Sequence, residues 1–235
     1  MKIIIPMAGM GKRMRPHTLT VPKPLIKIAG KPIVQCLVEE ISSVSDEKIE
    51  EIAFIIGDFG DEVETQLIKI AQKAGAKATI YYQKEALGTA HAIYCAKESL
   101  EGKVIVAFAD TLFKADFDLD VKKDSVIWVN RVENPQDFGV VSLNADKTIS
   151  EFVEKPSEPI SDLAIIGIYY FKEAAFLSKE IKTLIDNKDV KNGEYQLTDV
   201  LQNMMKDGIQ FYTDTVSECL IVEIKTQQFI LISEF

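Results

Sequence analysis

Apolar strands alternate with amphipathic helices through the first half of the chain, and this order restricts the fold more than any other feature. Four apolar runs have the length of buried strands: Ile3–Met7, Ile52–Ile56, Ala78–Tyr82 and Val104–Ala109. Three segments between them have the periodicity of amphipathic helices: Pro32–Ser42, Asp61–Ala74 and Gly88–Ser99. A β-α-β-α-β-α-β order predicts an α/β domain with a Rossmann-like, mostly parallel sheet and helices on both faces.

The second half of the chain is richer in strands than in helices. We expect strands at Ser125–Asn130, Val140–Leu143, Ile149–Glu154, Ala164–Phe171 and Ile209–Thr213. Helices are expected near Glu173–Ile185 and Leu197–Met205. We interpret this half as a strand-rich lobe that lies over the cleft of the parallel sheet, within one domain of two lobes, since no linker composition separates the halves.

Composition excludes several classes of partner. The net charge is −9 over 235 residues, which argues against a nucleic-acid or anionic-membrane surface. The three cysteines show no metal spacing and predict a reduced, cytoplasmic protein. The first apolar run is too short for a signal peptide, and no run is long enough to cross a bilayer. The sequence leaves a homo-oligomer open.

A loop that suits phosphate follows the first strand. Gly9 and Gly11 allow the backbone N–H groups to approach an anion closely, and Lys12 and Arg13 add cations. Lys23 lies between two prolines that fix the chain around it. No Gly-Lys-Ser/Thr closes the loop, and Met occupies the position of the third glycine of the dinucleotide fingerprint, so neither of those two motifs is present.

The pattern G-x-G-x-R-x-x-P-x-T-x-x-x-P-K-P, which begins at Gly9, resembles the signature of the sugar-1-phosphate nucleotidyltransferases. The resemblance continues through later blocks and covers about the first 215 residues. It implies a GT-A-like fold and transfer of a nucleotidyl group from an NTP to a sugar 1-phosphate. It also implies catalytic roles for Arg13, Lys23 and Asp110, and nucleotide contacts from Ala8, Gly9, Gly11, Lys12, Gln83, Gly88 and Thr89.

Asp110 directly follows the strand Val104–Ala109, and a charged carboxylate at this position does not serve core packing. Mg²⁺ takes one or two carboxylates together with phosphate oxygens, and the resemblance assigns Asp110 as its ligand. The family usually has Gly where this chain has Ala109. Without the neighbouring phosphate loop, a turn-capping Asp would be the better interpretation.

Gln83 ends a strand, and Leu87-Gly88-Thr89-Ala90 begins the next helix. The block resembles the family's Q-x-x-x-L-G-T-A-x-A, in which the Gln and Gly contact the base of UTP or dTTP. A Gln amide both donates and accepts hydrogen bonds, which suits a pyrimidine edge. We favour dTTP, with UTP close behind. His91 is interpreted as a half-exposed helix residue.

The sugar-phosphate contacts are expected from two strands of a hairpin and a third strand. Phe138-Gly139-Val140-Val141 and Glu154-Lys155-Pro156 resemble the family's sugar-site blocks, as does the strand with Gly167. The resemblance implies sugar contacts from Gly139, Glu154 and Gly167 and a phosphate contact from Lys155. Glu194–Asp199 resembles the block that opens a helix beside the sugar site. Glucose 1-phosphate is the favoured sugar.

The C-terminal segment departs from the family pattern. We expect a nucleotidyltransferase domain over residues 1–217 and a divergent tail over 218–235. The family usually has Trp-x-Asp-x-Gly here, whose Asp is the second metal ligand. One choice of synonymous codons for Leu220 onward, CTG-ATT-GTG-GAA-ATA-AAA-ACG-CAA, encodes Asp-Cys-Gly-Asn-Lys-Asn-Ala when it is read from the third base of the Leu220 codon. We therefore hypothesise a frameshift near Glu218. The alternative is a genuine divergent strand, because Ile221–Ile224 alternates suitably.

Two other classes of function remain alternatives. One is a catalytically impaired protein that binds a nucleotide or a sugar phosphate. The other is a cytidylyltransferase that acts on an alcohol phosphate.

Overall fold

A computed structural model gives the structure of residues 1–9, 22–158, 160–191, 193–221, 224–225 and 228–229, with only the backbone described from residue 220 onward. The strands are β1 (Lys2–Pro6), β2 (Lys27–Ile28), β3 (Lys31–Pro32), β4 (Glu51–Ile56), β5 (Lys77–Tyr82), β6 (Val104–Ala107), β7 (Thr111–Lys114), β8 (Ser125–Arg131), β9 (Gly139–Leu143), β10 (Ile149–Glu154), β11 (Leu163–Phe171), β12 (Phe211–Thr215), β13 (Glu218–Ile221), β14 (Ile224–Lys225) and β15 (Gln228–Phe229). The helices are α1 (Ile33–Ser43), α2 (Asp61–Lys73), α3 (Thr89–Tyr94), α4 (Ala174–Asp186) and α5 (Leu197–Lys206).

A nine-stranded sheet forms the centre of the molecule. Seven strands follow the order β10-β9-β11-β6-β1-β4-β5, and β8 joins β11 to β12. The four strands β6, β1, β4 and β5 are mutually parallel, as the alternation of strands and helices predicted. The α/β fold with a mostly parallel, Rossmann-like region is confirmed.

Strands β8 to β12 of the second half continue the same sheet, while β13 pairs with β7 and β14 with β15 in separate two-stranded sheets. Strand β11 pairs antiparallel with β6, and β9 and β10 form the predicted hairpin beyond it. The hairpin turn is closed by the Asn144 N–H, which donates to the Thr148 carbonyl at 2.8 Å. These strands therefore widen the sheet on the β6 side of the parallel region. The start of β9 and the end of β10 then lie near the carboxyl ends of β1 and β6.

Helices cover both faces of the sheet because β1 is apolar on both. Ile3 and Ile5 pack with α1 and α2, whereas Ile4 packs with α3, α4 and α5. All three isoleucines are fully buried. Burial of such a side chain stabilises the fold by about 1.5–3 kcal/mol. None of the described helices has the length and apolar character needed to cross a membrane.

Two element boundaries differ from the sequence prediction. Helix α3 ends at Tyr94, and a short 3₁₀ turn at Lys97–Ser99 completes the segment predicted as one helix. Strand β6 ends at Ala107, before the predicted Ala109, although the Phe108 N–H still donates to the Gly167 carbonyl of β11 at 3.0 Å. Asp110 follows the carboxyl end of β6, at the edge where ligands of α/β sheets bind.

Candidate functional site

Four loops meet at the carboxyl-terminal edge of the parallel strands. Ala8 and Gly9 follow β1, Gly57 follows β4, Gln83 follows β5 and Asp110 follows β6. The first two loops lie close together, since a Cβ at Gly57 would lie 3.3 Å from the Ala8 carbonyl oxygen. The structure therefore places the predicted site residues Ala8, Gly9, Gln83 and Asp110 along one edge together with Gly57, which was not predicted, and a shared ligand there would contact several loops.

Three predicted phosphate-binding residues, Gly11, Lys12 and Arg13, lie outside the described residues. Their assignment stays a prediction. The described loop residues on either side of them, Gly9 and Lys23, both lie at the edge just defined.

Lys23 and Asp110 form an ion pair at this edge. The Lys23 Nζ atom lies 3.3 Å from Asp110 Oδ2, across 87 residues of sequence. The Lys23 side chain is only 13% exposed, while the Asp110 side chain is 49% exposed. The adjacent Pro24 and Leu25 are buried in a short 3₁₀ turn, so the Lys23 backbone is anchored. The pair thus presents a fixed cation and a solvent-accessible carboxylate to the same space.

The donor set at Asp110 fits a magnesium ion that a nucleotide brings with it. No group of three acidic, His or Cys side chains suitable for a metal occurs in the part of the chain that the structure describes. Asp110 alone offers one accessible carboxylate. Mg²⁺ is commonly held by one or two carboxylates plus substrate phosphates and water, which is the arrangement that a single Asp at this edge can support.

Gly88 is packed directly against the backbone of Tyr195. Its φ is +107°, and a Cβ there would lie 2.6 Å from both the N and O atoms of Tyr195. The contact is fixed by backbone hydrogen bonds on both sides: the Tyr195 N–H donates to the Leu87 carbonyl at 2.8 Å, and the Ala90 N–H donates to the Tyr195 carbonyl at 3.0 Å. The two sequence blocks around Gly88 and Tyr195 therefore form one structural unit.

We expect Gly88→Ala to destabilise the protein by about 2–4 kcal/mol, because the left-handed φ and the clash with Tyr195 both oppose a side chain. Gly75→Ala is the matched control. Gly75 also has a positive φ, +73°, but nothing lies within 4 Å of a Cβ there. The Gly75 variant should lose only about 1–2 kcal/mol in urea unfolding. Equal losses in the two variants would contradict the packing argument.

Thr89 has a structural partner that the sequence did not indicate. Its Oγ1 accepts a hydrogen bond of 3.0 Å from the N–H of Leu197, the first residue of α5. The hydroxyl thus satisfies an N–H that the helix itself leaves unpaired. A nucleotide contact from Thr89 stays a prediction.

Gln83 is held by two partners. Its Nε2 atom donates to the Gly88 carbonyl at 3.3 Å and lies 3.2 Å from Nδ1 of His91. Gln83 and His91 are both half-buried. Burial lowers the pKa of His91, with the charge of Glu85 acting in the opposite direction. The imidazole is therefore neutral near pH 7, in contact with the residue predicted to contact the base.

The predicted sugar-site residues Gly139 and Glu154 lie opposite each other in the β9–β10 ladder. A Cβ at Gly139 would lie 3.2 Å from Glu154 Oε2. Glu154 is accessible to solvent yet surrounded by protein on the cleft wall, and this partial desolvation raises its pKa. Lys155 has a φ of +43°, unusual for a residue other than glycine, and its N–H donates to the Phe138 carbonyl at 3.0 Å.

Gly167 links the sugar half of the edge to the Asp110 half. It lies where the β11–β8 register shifts, and its φ is +83°. A Cβ there would contact the Phe108 side chain at 3.4 Å. Because its carbonyl also accepts from Phe108, Gly167 helps to set the path of the chain into Asp110.

Tyr169 is a buried residue near the candidate site whose surroundings the sequence did not reveal. It is 6% exposed, and burial raises its pKa well above the usual range, with further contributions from the charges of Glu154 and Asp110. The phenol thus lies within electrostatic reach of both carboxylates. Only its position two residues after Gly167 could have indicated it, and strand alternation alone did not distinguish it from a core residue.

Comparison with known proteins shows the family and the fold of this chain. The family model described as "Nucleotidyl transferase" matches residues 2–217. The low-salt glycan biosynthesis nucleotidyltransferase Agl11 of Haloferax volcanii is 33% identical over 215 residues, which cover 88% of this chain and 58% of that relative. The chain spans about half the length of the curated relatives it matches, between 47% and 58%.

Solved structures share the fold. A Bacillus anthracis protein assigned as a glucose-1-phosphate thymidylyltransferase, crystallised with sucrose, has a TM-score of 0.76 at 24% identity and covers 94% of this chain and 89% of its own. UDP-glucose pyrophosphorylase in complex with UDP-glucose has a TM-score of 0.74 at 24% identity, with coverages of 93% and 92%. The family match over almost the whole described domain shows that the chain belongs to the nucleotidyl transferase family, among the sugar-1-phosphate nucleotidyltransferases.

Proposed function

We propose that the protein is a sugar-1-phosphate thymidylyl- or uridylyltransferase. It would convert dTTP or UTP and a sugar 1-phosphate into an NDP-sugar and pyrophosphate. The observation that carries the proposal is the Lys23–Asp110 pair at the sheet edge, flanked by Gln83–Gly88 on one side and Gly139–Glu154 on the other. The ion pair thus lies in the middle of the edge, with groups that suit a base on one side and groups that suit a sugar on the other. A cytoplasmic location suits substrates of this kind.

The reaction needs no covalent intermediate with the protein. An oxygen of the sugar 1-phosphate attacks the α-phosphorus of the NTP, a new P–O bond forms, and the bond to pyrophosphate breaks. The nucleophile is already an anion, so no proton has to be removed. The protein must position two polyanions and offset the charge that builds up on the transferred phosphoryl group.

The chain's residues divide that task. Arg13 and the backbone N–H groups around Gly9 would hold the β- and γ-phosphates, and Lys23 would contact the α-phosphate. Lys155 would hold the phosphate of the sugar, with its backbone already fixed by Phe138. Asp110 would hold Mg²⁺, which supplies charge neutralisation on the phosphate oxygens when bound.

Glu154 suits recognition of sugar hydroxyls. Its side chain is accessible to solvent, and its Oε2 atom packs against Gly139, where a Cβ would lie only 3.2 Å away, so a side chain at position 139 would displace the carboxylate. Glucose 1-phosphate is the sugar we favour. The choice of a pyrimidine nucleotide depends on Gln83, and it agrees with the names of two of the solved structures that share the fold, one a thymidylyltransferase and the other a UDP-glucose pyrophosphorylase.

A second candidate function, a catalytically impaired protein that binds these substrates, is favoured by the residues after Glu218. Deletion of one G from the codons TGG-CTT-GAT-TGT-GGA, which encode Trp-Leu-Asp-Cys-Gly, gives TGC-TTG-ATT-GTG-GA. The shifted codons encode Cys-Leu-Ile-Val and begin a Glu codon, as found at Cys219–Glu223. We infer that residues from 219 onward are a frameshifted tail. The family match, which covers residues 2–217, supports a boundary at this point.

The register of β13 with β7 indicates which group a frameshift would remove from the site. β13 pairs antiparallel with β7, with Ile221 opposite Thr111, the residue after Asp110. Burial raises the pKa of the Cys219 thiol to about 12, and the charge of Asp110 adds to the shift, so β13 lies beside that carboxylate. In the unshifted frame the Asp of the motif would occupy position 221. Two carboxylates would then face one metal.

The test is pyrophosphate release from purified protein with a panel of dTTP, UTP, CTP, ATP and GTP against glucose 1-phosphate, other sugar phosphates and an alcohol phosphate, in Mg²⁺. We expect release with dTTP or UTP and a sugar phosphate. Release only with CTP and an alcohol phosphate would favour the cytidylyltransferase alternative. Binding of dTTP or UTP without release would favour the impaired protein.

A further inference from the structure

The hydrogen bonds of Gln83 leave only one of its polar atoms free. An amide NH₂ group has two hydrogens, and here one partner is the Gly88 carbonyl at 3.3 Å and the other is His91 Nδ1 at 3.2 Å. A carbonyl oxygen can only accept, so the amide end that faces Gly88 must be the NH₂ end. Within the described residues, Gln83 Oε1 has no hydrogen-bond partner, and the side chain is half-exposed.

The same geometry fixes the protonation of His91. Because the amide Nε2 atom can only donate, Nδ1 must be the unprotonated nitrogen of the ring, and the proton lies on Nε2. Burial lowers the pKa of His91, which favours this neutral form at pH 7. His91 lies in α3, two residues after Thr89, whose hydroxyl accepts a hydrogen bond from the first residue of α5. The backbone that holds the His91 ring is therefore anchored to α5.

We propose that His91 is a positioning residue for nucleobase selection: by engaging the second N–H of Gln83, it makes Gln83 present only a hydrogen-bond acceptor to the base. This inference rests on the proposed function and names what Gln83 recognises at that site.

An acceptor at this position distinguishes pyrimidines that are otherwise the same size. Uracil and thymine have a ring N3–H, which can donate to Gln83 Oε1. Cytosine has an N3 lone pair, which would face the amide oxygen without a hydrogen between them. A free N–H on Gln83 would serve cytosine instead, so the partner of that N–H decides the preference.

The first test is the nucleotide preference of the full chain, measured by isothermal titration with UTP against CTP and with dTTP against dCTP, so that the sugar and charge are matched. We expect the unsubstituted chain to favour uracil and thymine by about tenfold. His91→Ala frees the second N–H and should reduce the preference by about fivefold. His91→Asn keeps an acceptor near the Nδ1 position and should retain it.

A thermal unfolding scan of both variants checks that they are folded, and the ratio of nucleotide affinities then distinguishes a positioning role from a structural one. A structural role alone would weaken all four nucleotides together and leave their ratio unchanged. His91→Ala with an unchanged ratio would overturn the inference.

The second test does not depend on turnover or on nucleotide binding. The chain has two histidines, His17 and His91, so ¹⁵N spectra of histidine-labelled protein contain two rings, and His17→Gln assigns them. We expect His91 with a protonated Nε2 and an unprotonated Nδ1, and loss of this single tautomer in Gln83→Leu. A protonated Nδ1 in the neutral ring would overturn the inference. If no nucleotide binds while the Nε2–H tautomer is present, the proposed function fails and the His91–Gln83 arrangement stands.

Discussion

Restoring the reading frame after Glu218 should raise nucleotidyl transfer on the order of a hundredfold or more over the chain that has Cys219-Leu220-Ile221. The physical reason is the position of residue 221, which lies opposite Thr111 in the β13–β7 ladder and therefore beside Asp110. A carboxylate there would be a second oxygen ligand for the metal that offsets charge on the α-phosphate. Loss of one group that stabilises transition-state charge typically costs a factor of 10²–10³. Pyrophosphate release at saturating dTTP and glucose 1-phosphate measures the gain.

A single substitution isolates the carboxylate from the rest of the restored tail. Ile221→Asp should recover part of the gain, and Ile221→Asn, a neutral side chain of the same shape, should recover far less. The Mg²⁺ concentration for half-maximal activity should fall in Ile221→Asp but stay unchanged in Ile221→Asn. Equal activity of the two variants, or an original gene that encodes Cys-Leu-Ile-Val-Glu in frame, would remove the frameshift proposal.

The parallel half of the fold could be predicted from the sequence because each element there is determined locally. Ile3–Ile5 is apolar on both faces, so it had to be a central strand covered on both sides, and it is fully buried. The capping Gly75 and the stripe of Val63, Leu67 and Ile70 gave α2 to within a residue of its observed bounds. The hairpin of β9 and β10 was equally local, since its turn residues adjoin both strands.

The parts that the sequence could not predict depend on contacts between distant segments. Nothing near Thr111 indicates that β7 pairs with β13, more than a hundred residues later, and the short strands β2 and β3 have no distinguishing pattern. The junction of β6 and β11 is also non-local, because the Phe108 N–H donates to Gly167, which lies in a strand far along the sequence.

The residues of the candidate site likewise divide into those that local sequence indicates and those that only the fold brings together. Gln83, Gly88, Asp110 and Glu154 could be named because each matches a motif at a strand end. Tyr169 could not, because its proximity to two carboxylates comes from the register of β11 with β6 and not from its neighbours in sequence. The role of Tyr195 as the wall against Gly88 is likewise a property of two segments that meet only in the fold.

Asp110→Ala in the frame-restored chain should reduce turnover by at least about a thousandfold, with Asp110→Asn nearly as severe, because the carboxylate that we propose as the first metal ligand has no substitute among the described residues. The stability cost should be small. The Asp110 side chain is 49% exposed, and a partly exposed ion pair such as Lys23–Asp110 contributes about 1 kcal/mol or less. Stopped-flow pyrophosphate release and urea unfolding measure the two quantities on the same preparations.

Asp162→Asn is the matched control for Asp110→Asn, since it breaks a surface ion pair with Arg131 in which both side chains are largely exposed. It should change turnover by less than about twofold, with a similarly small change in stability. Retained turnover in Asp110→Asn would show that the carboxylate is not the metal ligand. A large loss of stability in that variant would instead mean that Asp110 acts by holding Lys23, whose side chain is mostly buried and would lose its partner. A thousandfold loss of turnover with nearly unchanged stability is the result expected of a residue that touches the reacting phosphate through its metal.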